Sequence, residues 1–496
     1  MRYCFDIETD GFLHDCTKVH CIVLKNIDTN EILKPTNEEA ITLLSEAKFI
    51  TGHNIIKFDI PVLEKLFDFK TKAQIFDTIV ATRLLFPDIR DSDFKRNDFP
   101  ANCIGRHSLK AWGHRVGNYK EAFDTDWKTF SSEMLDYCVQ DVEVTHSLYK
   151  MIENRGYSQQ AMELEHQVAS LIFRQETHGF TFDKEKAQQL YSKLNARRAE
   201  LEEEFQKLFK PITTKRVSPK TGKQLKDKVT VFNPSSRLHI ADRLKTKYNW
   251  QPDEYTSDGK PKLDDTILSK LDYPEAKLLA EHFLLDKRIG QLATGAQAWL
   301  KNETNGKIHG TCNTNSTVTA RASHSHPNLG QVPSVSVPYG KDCRSLFTVP
   351  KGKKLVGIDI SGLEVRMLAH FMSKYDDGEY SKVVLEGDIH TETQKLAGLE
   401  SRDLAKRFYY AFLYGSGVKK IALITNKKVN EASKIKKRFL NNLPALNKLI
   451  TQVQSAAERV YLIGLDKRKI KIRSAHAALN TLLQSGGALV LSLIHI

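Results

Sequence analysis

The alternation of hydrophobic and polar positions changes along the chain and divides it into regions. Between residues 1 and 155, short apolar runs at 3–7, 19–24 and 49–53 predict strands, and the spacing at 60–67 predicts a helix. Residues 156–296 have a mostly helical pattern, in which Asp183 is well placed to cap a long helix. The first region is therefore predicted to be α/β and the second mostly α-helical.

Residues 355–371 combine both patterns. The run 355–360 is apolar except for one glycine and Asp359, which predicts a buried strand, and from Leu363 onward the apolar residues recur at helical spacing. Asp359 is thus predicted to lie near the end of a central strand, where an isolated carboxylate is costly unless it is paired or binds a cation. On this stretch alone, a carboxylate satisfied by nearby amides is the simpler interpretation.

Charge adds a candidate partner to this picture. The 496 residues carry 74 Lys and Arg against 60 Asp and Glu, a net charge of +14, which favours nucleic acid first and an acidic membrane second. Residues 210–228 are strongly basic, and Pro211, Pro219 and Gly222 predict a loop there, which we expect to lie along a phosphate backbone.

The seven cysteines have no metal-site spacing and are predicted to be free thiols. Since no run of eighteen apolar residues occurs, we expect no membrane span.

Four acids in the first region are candidates for metal binding. Asp6 and Glu8 are two apart on a predicted strand and point to one face, and Asp59 closes the run 52–59. Tyr137 and Asp141 are four apart on one face of a predicted helix. Taken singly, each acid is more simply a solvated charge or a helix cap. Converging acids would repel unless divalent cations lay between them, which is the layout of two-metal phosphodiester hydrolysis.

A second candidate surface lies on the segment 401–415. Arg402, Lys406, Tyr410 and Tyr414 are successively four apart, so a helix would place all four along one side. Two cations followed by two aromatic rings suit a surface that grips a triphosphate and stacks bases. An amphipathic helix with a basic face is the alternative interpretation.

Further polar residues are suited to contacting DNA. Asn480 and Gln484, again four apart, present amides that match minor-groove acceptors common to every base pair. The alternating basic run 467–473 predicts a hairpin strand with phosphate contacts. Polar loop residues in 319–333 complete the set, and they include Arg321, Asn328 and Gln331.

These motifs resemble two known families. D-x-E at Asp6, N-x3-F-D ending at Asp59 and Y-x3-D ending at Asp141 resemble the three motifs of DnaQ-like proofreading 3′–5′ exonucleases. That resemblance implies a ribonuclease H-like fold, with Asp6, Glu8, Asp59 and Asp141 as metal ligands and Tyr137 orienting the attacking water. From about residue 5 to 488, the chain resembles a family A DNA polymerase of the short-tailed bacteriophage replicative type. This implies an α/β multidomain protein in which a right-hand polymerase follows the exonuclease.

The resemblance also implies domain bounds and site residues. The domains are exonuclease 1–155, thumb 156–296, first part of the palm 297–371, fingers 372–479 and the start of a second palm segment, 480–496. Asp359 would bind both polymerase metals, and Glu364 would exclude ribonucleotides. The nucleotide-binding positions are Ser361, Gly362, Glu364, His390, Arg402, Lys406, Tyr410 and Tyr414. The DNA-binding positions are Arg321, Asn328, Gln331, Asn480 and Gln484.

The implied cofactor is Mg²⁺, two ions per active site, with Mn²⁺ able to substitute. The implied partners are primer–template DNA, deoxynucleoside triphosphates and replisome proteins, in the cytoplasm of an infected bacterium. Host thioredoxin is not expected, because the basic segment 210–228 is short where a phage member of the family carries a long thioredoxin-binding insertion.

The chain departs from the family pattern near its C-terminus. The family's H-D-E motif, which supplies the second metal-binding aspartate of the palm, does not occur, so we expect a palm that lacks its C-terminal part. Residues 491–496 match the translation of a sequencing-adapter end, and we expect a non-native tail there. Two alternatives to a proofreading polymerase therefore stay open: a 3′–5′ exonuclease without synthesis, and a catalytically silent primer–template-binding protein.

Overall fold

The structure is a computed structural model that describes residues 1–118, 126–218 and 220–496. The chain divides into two compact units. Unit 1 comprises Met1–Gln175, Cys312–Ser323 and Ile358–Ile496, and unit 2 comprises Glu176–Thr311 and His324–Gly357. The finer division into exonuclease, thumb, palm and fingers stays a prediction.

The strands, in chain order, are β1 (Arg2–Thr9), β2 (Val19–Asn26), β3 (Ile32–Leu33), β4 (Phe49–Gly52), β5 (Gln74–Asp77), β6 (Phe180–Phe182), β7 (Ile212–Val217), β8 (Gln224–Thr230), β9 (Glu303–Thr304), β10 (Lys307–Ile308), β11 (Thr311–Asn313), β12 (Ser323–Ser325), β13 (Phe347–Thr348), β14 (Tyr461–Ile463) and β15 (Lys469–Lys471). The helices are α1 (Asn37–Ser45), α2 (Asp59–Phe67), α3 (Thr78–Leu85), α4 (Ile89–Asp93), α5 (Leu109–Val116), α6 (Ser132–Glu153), α7 (Gln159–His178), α8 (Lys184–Leu208), α9 (Arg237–Tyr248), α10 (Asp265–Leu268), α11 (Pro274–Ile289), α12 (Gly340–Arg344), α13 (Leu363–Asp376), α14 (Glu379–Glu386), α15 (Ile389–Ala397), α16 (Arg402–Leu413), α17 (Val418–Thr425), α18 (Val429–Asn441), α19 (Pro444–Ala457) and α20 (Ala478–Ile494).

A five-stranded sheet organises the N-terminal part of unit 1. Its order is β3-β2-β1-β4-β5, with β1 antiparallel to β2 and parallel to β4. Tyr3 and Phe5 of β1 pack on one face against residues of α1 and α2, whereas Cys4 packs on the other face against α6. Because side chains alternate along a strand, Asp6 and Glu8 share the face of Cys4 and point toward α6. The predicted strand and its acidic face are confirmed.

Eight helices, α13 to α20, form the C-terminal part of unit 1. Their shared core includes Phe408, Tyr409, Phe439, Leu446 and Leu482, all buried. The hydroxyl groups of Tyr380 and Tyr409 are 2.8 Å apart within this core, so each buried phenol has a hydrogen-bond partner. This core carries the surface of α16 that the sequence marks as a candidate binding site.

Unit 2 is built around the long helix α8. Asp183 caps α8 as predicted, because its side chain accepts a hydrogen bond from the backbone N–H of Lys186 at 2.9 Å. Phe205 of α8 is buried with Leu244 of α9 and Leu279 of α11. A small antiparallel sheet of order β13-β6-β10-β9 completes the unit.

The basic segment 210–228 is a hairpin and not the predicted loop. β7 and β8 pair in antiparallel fashion, from Ile212 opposite Thr230 to Val217 opposite Gln224. Both strands are rich in threonine and valine, whose branched side chains favour extended backbone, and Gly222 has φ +66° at the turn. Pro219, which supported the prediction of a loop, lies outside the described residues.

The predicted strand at 355–360 is also wrong. No part of this run belongs to a strand, and Leu355, Val356 and Ile358 are 64%, 76% and 87% exposed. A strand needs a neighbour that accepts and donates its backbone hydrogen bonds, and within the described part of the chain none lies beside this run. Asp359 is consequently exposed rather than buried.

The cysteine and membrane expectations have different outcomes. All seven cysteines are free and buried, which confirms the prediction of free thiols. Over the described residues, one helix, Ala475–Ile494, has the length and composition to cross a membrane, although polar residues such as Asn480, Gln484 and Ser492 interrupt it. Half of the apolar segment of this helix is buried in the protein, and its residues Leu479, Leu482 and Leu483 belong to the unit 1 core. Core helices meet the same criterion, so this is weak evidence for a span.

Candidate active sites

The first candidate site lies between β1 and α6. Ligand atoms of Asp6, Glu8 and Cys138 all lie within 4.8 Å of one another. The Cys138 Sγ is 3.5 Å from the backbone oxygen of Asp6 and 3.9 Å from its Oδ2, so the thiol donates to both. Burial raises the pKa of the Cys138 thiol well above its usual value, helped by Cys21 and Asp6. Without a metal ion this thiol is therefore a protonated donor to Asp6.

Asp59 approaches the same site from the first turn of α2. Its side chain is 3% exposed, and burial raises its pKa to about 8, with the Asp77 and Asp141 carboxylates acting in the same direction. Asp141, in the middle of α6, is 5% exposed, and Tyr137 lies one turn earlier with its ring 6.0 Å from that of Trp127. The three predicted motifs are thus brought into one neighbourhood by β1, α2 and α6.

Sequence reasoning missed Asp77, which holds the turn before Asp59. Its Oδ1 accepts from the backbone N–H of Asn54 at 2.8 Å, and its Oδ2 accepts from that of Ile56 at 3.1 Å. Asn54 has φ +69°, a strained conformation that these bonds help to maintain. The signal was available, since an Asp followed by a helical apolar pattern marks a helix N-cap, and Asp77 does cap α3.

The donor set of this site fits a hard divalent cation. It consists mainly of carboxylate oxygens, and three of the four carboxylates, those of Glu8, Asp59 and Asp141, are buried and costly to ionise without a neighbouring positive charge. The Cys138 sulfur also belongs to this group, but its raised pKa disfavours the thiolate that a softer metal needs. Asp6, Glu8, Asp59 and Asp141 would hold such an ion.

The second candidate site lies at the start of α13. Gly362 precedes the helix with φ +61°, a conformation that favours glycine, and Glu364 lies in the first turn. The Arg321 guanidinium donates to Glu364 Oε1 at 2.7 Å. Burial raises the pKa of the nearby Tyr414 phenol, and the Glu364 carboxylate adds to that effect. Three predicted residues from separate parts of the sequence therefore meet here.

Helix α16 carries the predicted basic and aromatic side. Arg402 and Lys406 are exposed, and Arg402 forms a forked ion pair with Asp388 at 2.5 and 3.1 Å. The ring of Tyr410 lies 5.7 Å from that of His390, which is 9% exposed. Burial lowers the pKa of His390, and the positive charges of Arg402 and Lys406 lower it further, so this imidazole is neutral at pH 7.

Two other predicted residues share one face of α20. The Gln484 side-chain amide donates to Asn480 Oδ1 at 3.1 Å, as expected for residues four apart on a helix. In unit 2, Asn328 immediately precedes a short 3₁₀ turn, Leu329–Gln331, and the side chain of Gln331 is exposed. Gln331 is thus exposed, and the amides of Asn328, Asn480 and Gln484 are half-buried.

Asp359 is the predicted residue that the structure does not bring to a site. It lies in the exposed run 355–360, with Ser361 at its end, whose backbone oxygen accepts from Arg366. No other carboxylate lies with it in a potential metal-binding group among the described residues.

The basic run 467–473 does form a hairpin, but two of its cations contact protein. Arg468 is 3% exposed and binds Asp466 and, at 2.7 Å, Glu165. Lys471 is paired with Asp88. The expected phosphate contact is therefore wrong for Arg468, whose charge is buried and neutralised by Glu165 and Asp466. The Lys471 side chain is 41% exposed, and its expected phosphate contact stays a prediction.

Comparison with known proteins matches two family models to this chain. The family model described as DNA polymerase family A matches residues 184–495, and the 3′–5′ exonuclease model matches residues 14–156. The DNA-directed DNA polymerases of Escherichia phage T7 and Enterobacteria phage T3 are each 35% identical, over 98% of this chain and 88% of each relative. Among solved structures, the POL domain of Pol1 from M. smegmatis, in complex with DNA primer-template and dNTP, has the same fold. Its TM-score is 0.71 at 17% identity, over 100% of this chain and 84% of that one.

This chain therefore belongs to the family A DNA polymerases, of the phage type and with a 3′–5′ exonuclease domain. The predicted fold class, family and enzyme class are confirmed. Domains of these two families generally depend on divalent metal ions.

Proposed function

We propose that this chain replicates phage DNA by template-directed synthesis and removes mismatched primer ends by 3′–5′ hydrolysis. The observation that carries the proofreading half is the pair Asp6 and Glu8, whose ligand atoms lie within 4.8 Å of each other on β1. The buried Asp59 carboxyl interacts with Asp141 and with the backbone of Ile7 in the same strand. Such a cluster is stable in its charged form only with cations bound. The four carboxylates support Mg²⁺, two ions per site, with Mn²⁺ able to substitute.

In the exonuclease site, each residue has a proposed task. Asp6, Glu8, Asp59 and Asp141 bind the ions, and Cys138 holds the Asp6 carboxylate in place through its thiol. Tyr137, one turn before Asp141, orients the attacking water. Bound divalent cations lower the pKa of that water and stabilise the leaving oxygen.

In the polymerase site, α16 is proposed to bind the incoming deoxynucleoside triphosphate. Arg402 would exchange Asp388 for phosphate, which is favourable because both partners of the present pair are exposed and weakly held. Lys406 and His390 would complete the phosphate contacts. Tyr410 would pack on the sugar and Tyr414 at the template base, with Glu364 excluding ribonucleotides.

The remaining assignments complete the proposal. Asp359 would bind the polymerase metals, with Ser361 and Gly362 beside the triphosphate. The primer–template would be contacted by Arg321, Asn328, Gln331, Asn480 and Gln484. The domain bounds predicted from the sequence are retained as part of this proposal.

The cellular setting is proposed from the phage relatives. The chain would work in the cytoplasm of an infected bacterium, together with replisome proteins. The short hairpin β7–β8 argues against thioredoxin as a partner, since it offers little more than two strands for docking.

A second candidate function, exonuclease activity without synthesis, is supported by one observation. Asp359 lies in an exposed run without a strand partner among the described residues, so the polymerase carboxylate is not held as the exonuclease acids are. A single exposed carboxylate rarely holds two metal ions in the geometry that catalysis needs.

One assay tests both candidates. The purified chain is incubated with a 3′-mismatched primer on a template and Mg²⁺, with and without the four nucleotides. We expect degradation without nucleotides that Asp6→Ala abolishes, whereas the exposed-acid control Asp15→Ala leaves it intact. Extension that Asp359→Ala abolishes would establish synthesis, and degradation without any extension would favour the second candidate. Absence of both activities would refute the proposal.

A further inference from the structure

A cleft of about 900 Å³ within unit 1 lies outside both candidate sites. One wall comes from residues 79–108 of the N-terminal block, and the other from 313–323 together with Arg473. We call it the arginine cleft, defined by Arg83, Arg90, Arg106, Arg473 and Phe94. Its volume is within the roughly 300–1,000 Å³ of typical ligand sites.

The charge of the arginine cleft is positive. Of its arginines, Arg90, Arg106 and Arg473 alone outnumber the two lining acids, Asp88 and Asp91, and Asp88 is already paired with Lys471. Arg106 and Arg473 are exposed, and neither forms an ion pair with any described residue. The cleft therefore attracts an anion with several separated charges, and a single phosphate would use only part of it.

An aromatic ring on the rim indicates what kind of anion fits. Phe94 is 62% exposed, and the Arg90 guanidinium lies 5.5 Å from the centre of its ring. Arginines beside an exposed aromatic ring are the pattern with which proteins bind single strands, where phosphates meet cations and a base stacks on the ring. In a duplex the base faces are covered, so the ring has nothing to stack on.

The wall that carries Arg106 and Phe94 is held in position by a buried acid. Asp93 is fully buried and accepts from Arg115 at 2.8 and 3.0 Å and from the backbone N–H of Gly105 at 2.8 Å. These bonds tie the two ends of the segment 93–105 together. The rim is therefore preorganised for a ligand and does not have to be ordered on binding.

The opposite wall is anchored by Arg468. Its guanidinium, buried between Glu165 and Asp466, also contacts Asn315 Oδ1 at 3.3 Å. Asn315 lines the cleft and has φ +49°. A buried, multiply bonded arginine fixes this wall relative to α7 and to the hairpin β14–β15.

We propose that the arginine cleft binds the sugar–phosphate backbone of single-stranded DNA, with a base stacked on Phe94. The inference rests on the proposed function, which makes DNA the substrate. Two single strands have this chemistry: the unpaired template ahead of the primer, and the unpaired 3′ end of a mismatched primer.

Binding without catalysis tests the proposal. Fluorescence anisotropy is measured in EDTA with a blunt duplex, the same duplex with a 5′ template overhang, and the same duplex with unpaired 3′ primer nucleotides. The variants are Arg106→Ala/Arg473→Ala and Phe94→Ala. The control is Lys72→Ala/Lys193→Ala, which removes two exposed cations outside the cleft.

We expect both variants to bind one of the two overhang substrates with roughly tenfold lower affinity, and to bind the blunt duplex as tightly as the wild type does. For the double arginine variant, the slope of log affinity against log salt should fall by about 1.4, since each single-strand phosphate contact contributes about 0.7. The substrate that responds identifies the strand.

Equal affinities of variants and wild type for both overhang substrates would overturn the proposal, as would an equal loss on the blunt duplex. Failure of the wild type to bind any of the three substrates would instead refute the proposed function.

Discussion

Removing divalent cations should make the stability of this protein fall as the pH rises, and Asp59 is the reason. In the cation-free protein, burial raises the pKa of its carboxyl from 3.8 to about 8. The folded chain therefore keeps this proton across a range in which the unfolded chain has lost it. When folding raises the pKa of an acid, the contribution of that acid to stability is fully present below its pKa in the unfolded chain. That contribution is lost as the pH rises to its pKa in the folded chain.

The magnitude follows from the width of that range. Between pH 5 and pH 7 the folded state binds one more proton than the unfolded state at this position, which costs about 1.4 kcal/mol per pH unit. Over this interval the wild type should lose about 3 kcal/mol relative to Asp59→Asn, which is neutral at every pH. Asp77, whose pKa burial also raises, interacts electrostatically with Asp59, so the difference between the two proteins reports on this pair of carboxyls.

The assay is urea unfolding followed by circular dichroism at several pH values between 5 and 7, in EDTA and again in Mg²⁺. We expect the wild-type slope to flatten with Mg²⁺, because cations bind the ionised carboxylate, and the Asp59→Asn slope to stay the same. Equal pH slopes for the two proteins in EDTA would show that Asp59 is not held protonated and would refute the reasoning.

Three further predictions concern activity and stability. Asp6→Ala/Glu8→Ala should reduce primer degradation at least about 100-fold without lowering the melting temperature by more than a few degrees, measured by gel assay and calorimetry. Arg468→Met should lower the free energy of unfolding by about 3–5 kcal/mol, because it leaves buried carboxylates uncompensated, whereas Arg459→Met, at an exposed arginine, should change it by less than about 0.5 kcal/mol. Asp183→Ala should cost about 1 kcal/mol in the same unfolding assay by removing a helix cap, and Asp183→Asn, which keeps an acceptor, should restore most of it. A loss in Asp183→Asn as large as in the alanine variant would contradict the capping role.

Much of the exonuclease site was predictable from the chain alone. Asp6 and Glu8 share a face because a strand has a period of two, and Tyr137 and Asp141 share one because a helix repeats every 3.6 residues. Each of these pairs lies within a single strand or helix, so its geometry follows from the local sequence. Asp77 was overlooked because its importance comes from two backbone groups more than twenty residues earlier.

The wrong predictions share a physical origin in pairing between distant segments. An apolar run such as 355–360 has the same sequence pattern whether or not it joins a sheet. Only a neighbouring strand that shares its backbone hydrogen bonds makes it a buried strand. The basic segment 210–228 acquired such a neighbour from its own second half and became a hairpin.

The sequence by itself determined the family, the acidic face of β1, the capped helix α8 and the basic and aromatic side of α16. All of these follow from local periodicity, or from motifs that single elements carry. Only the tertiary structure decided which charges are available. Arg468 and Lys471 look like phosphate ligands in the sequence, yet carboxylates 303 and 383 residues away pair with them. Arg106 and Arg473 look ordinary, yet folding leaves them unpaired among the described residues, on opposite walls of one cleft. Electrostatic pairing depends on distance in space and not along the chain.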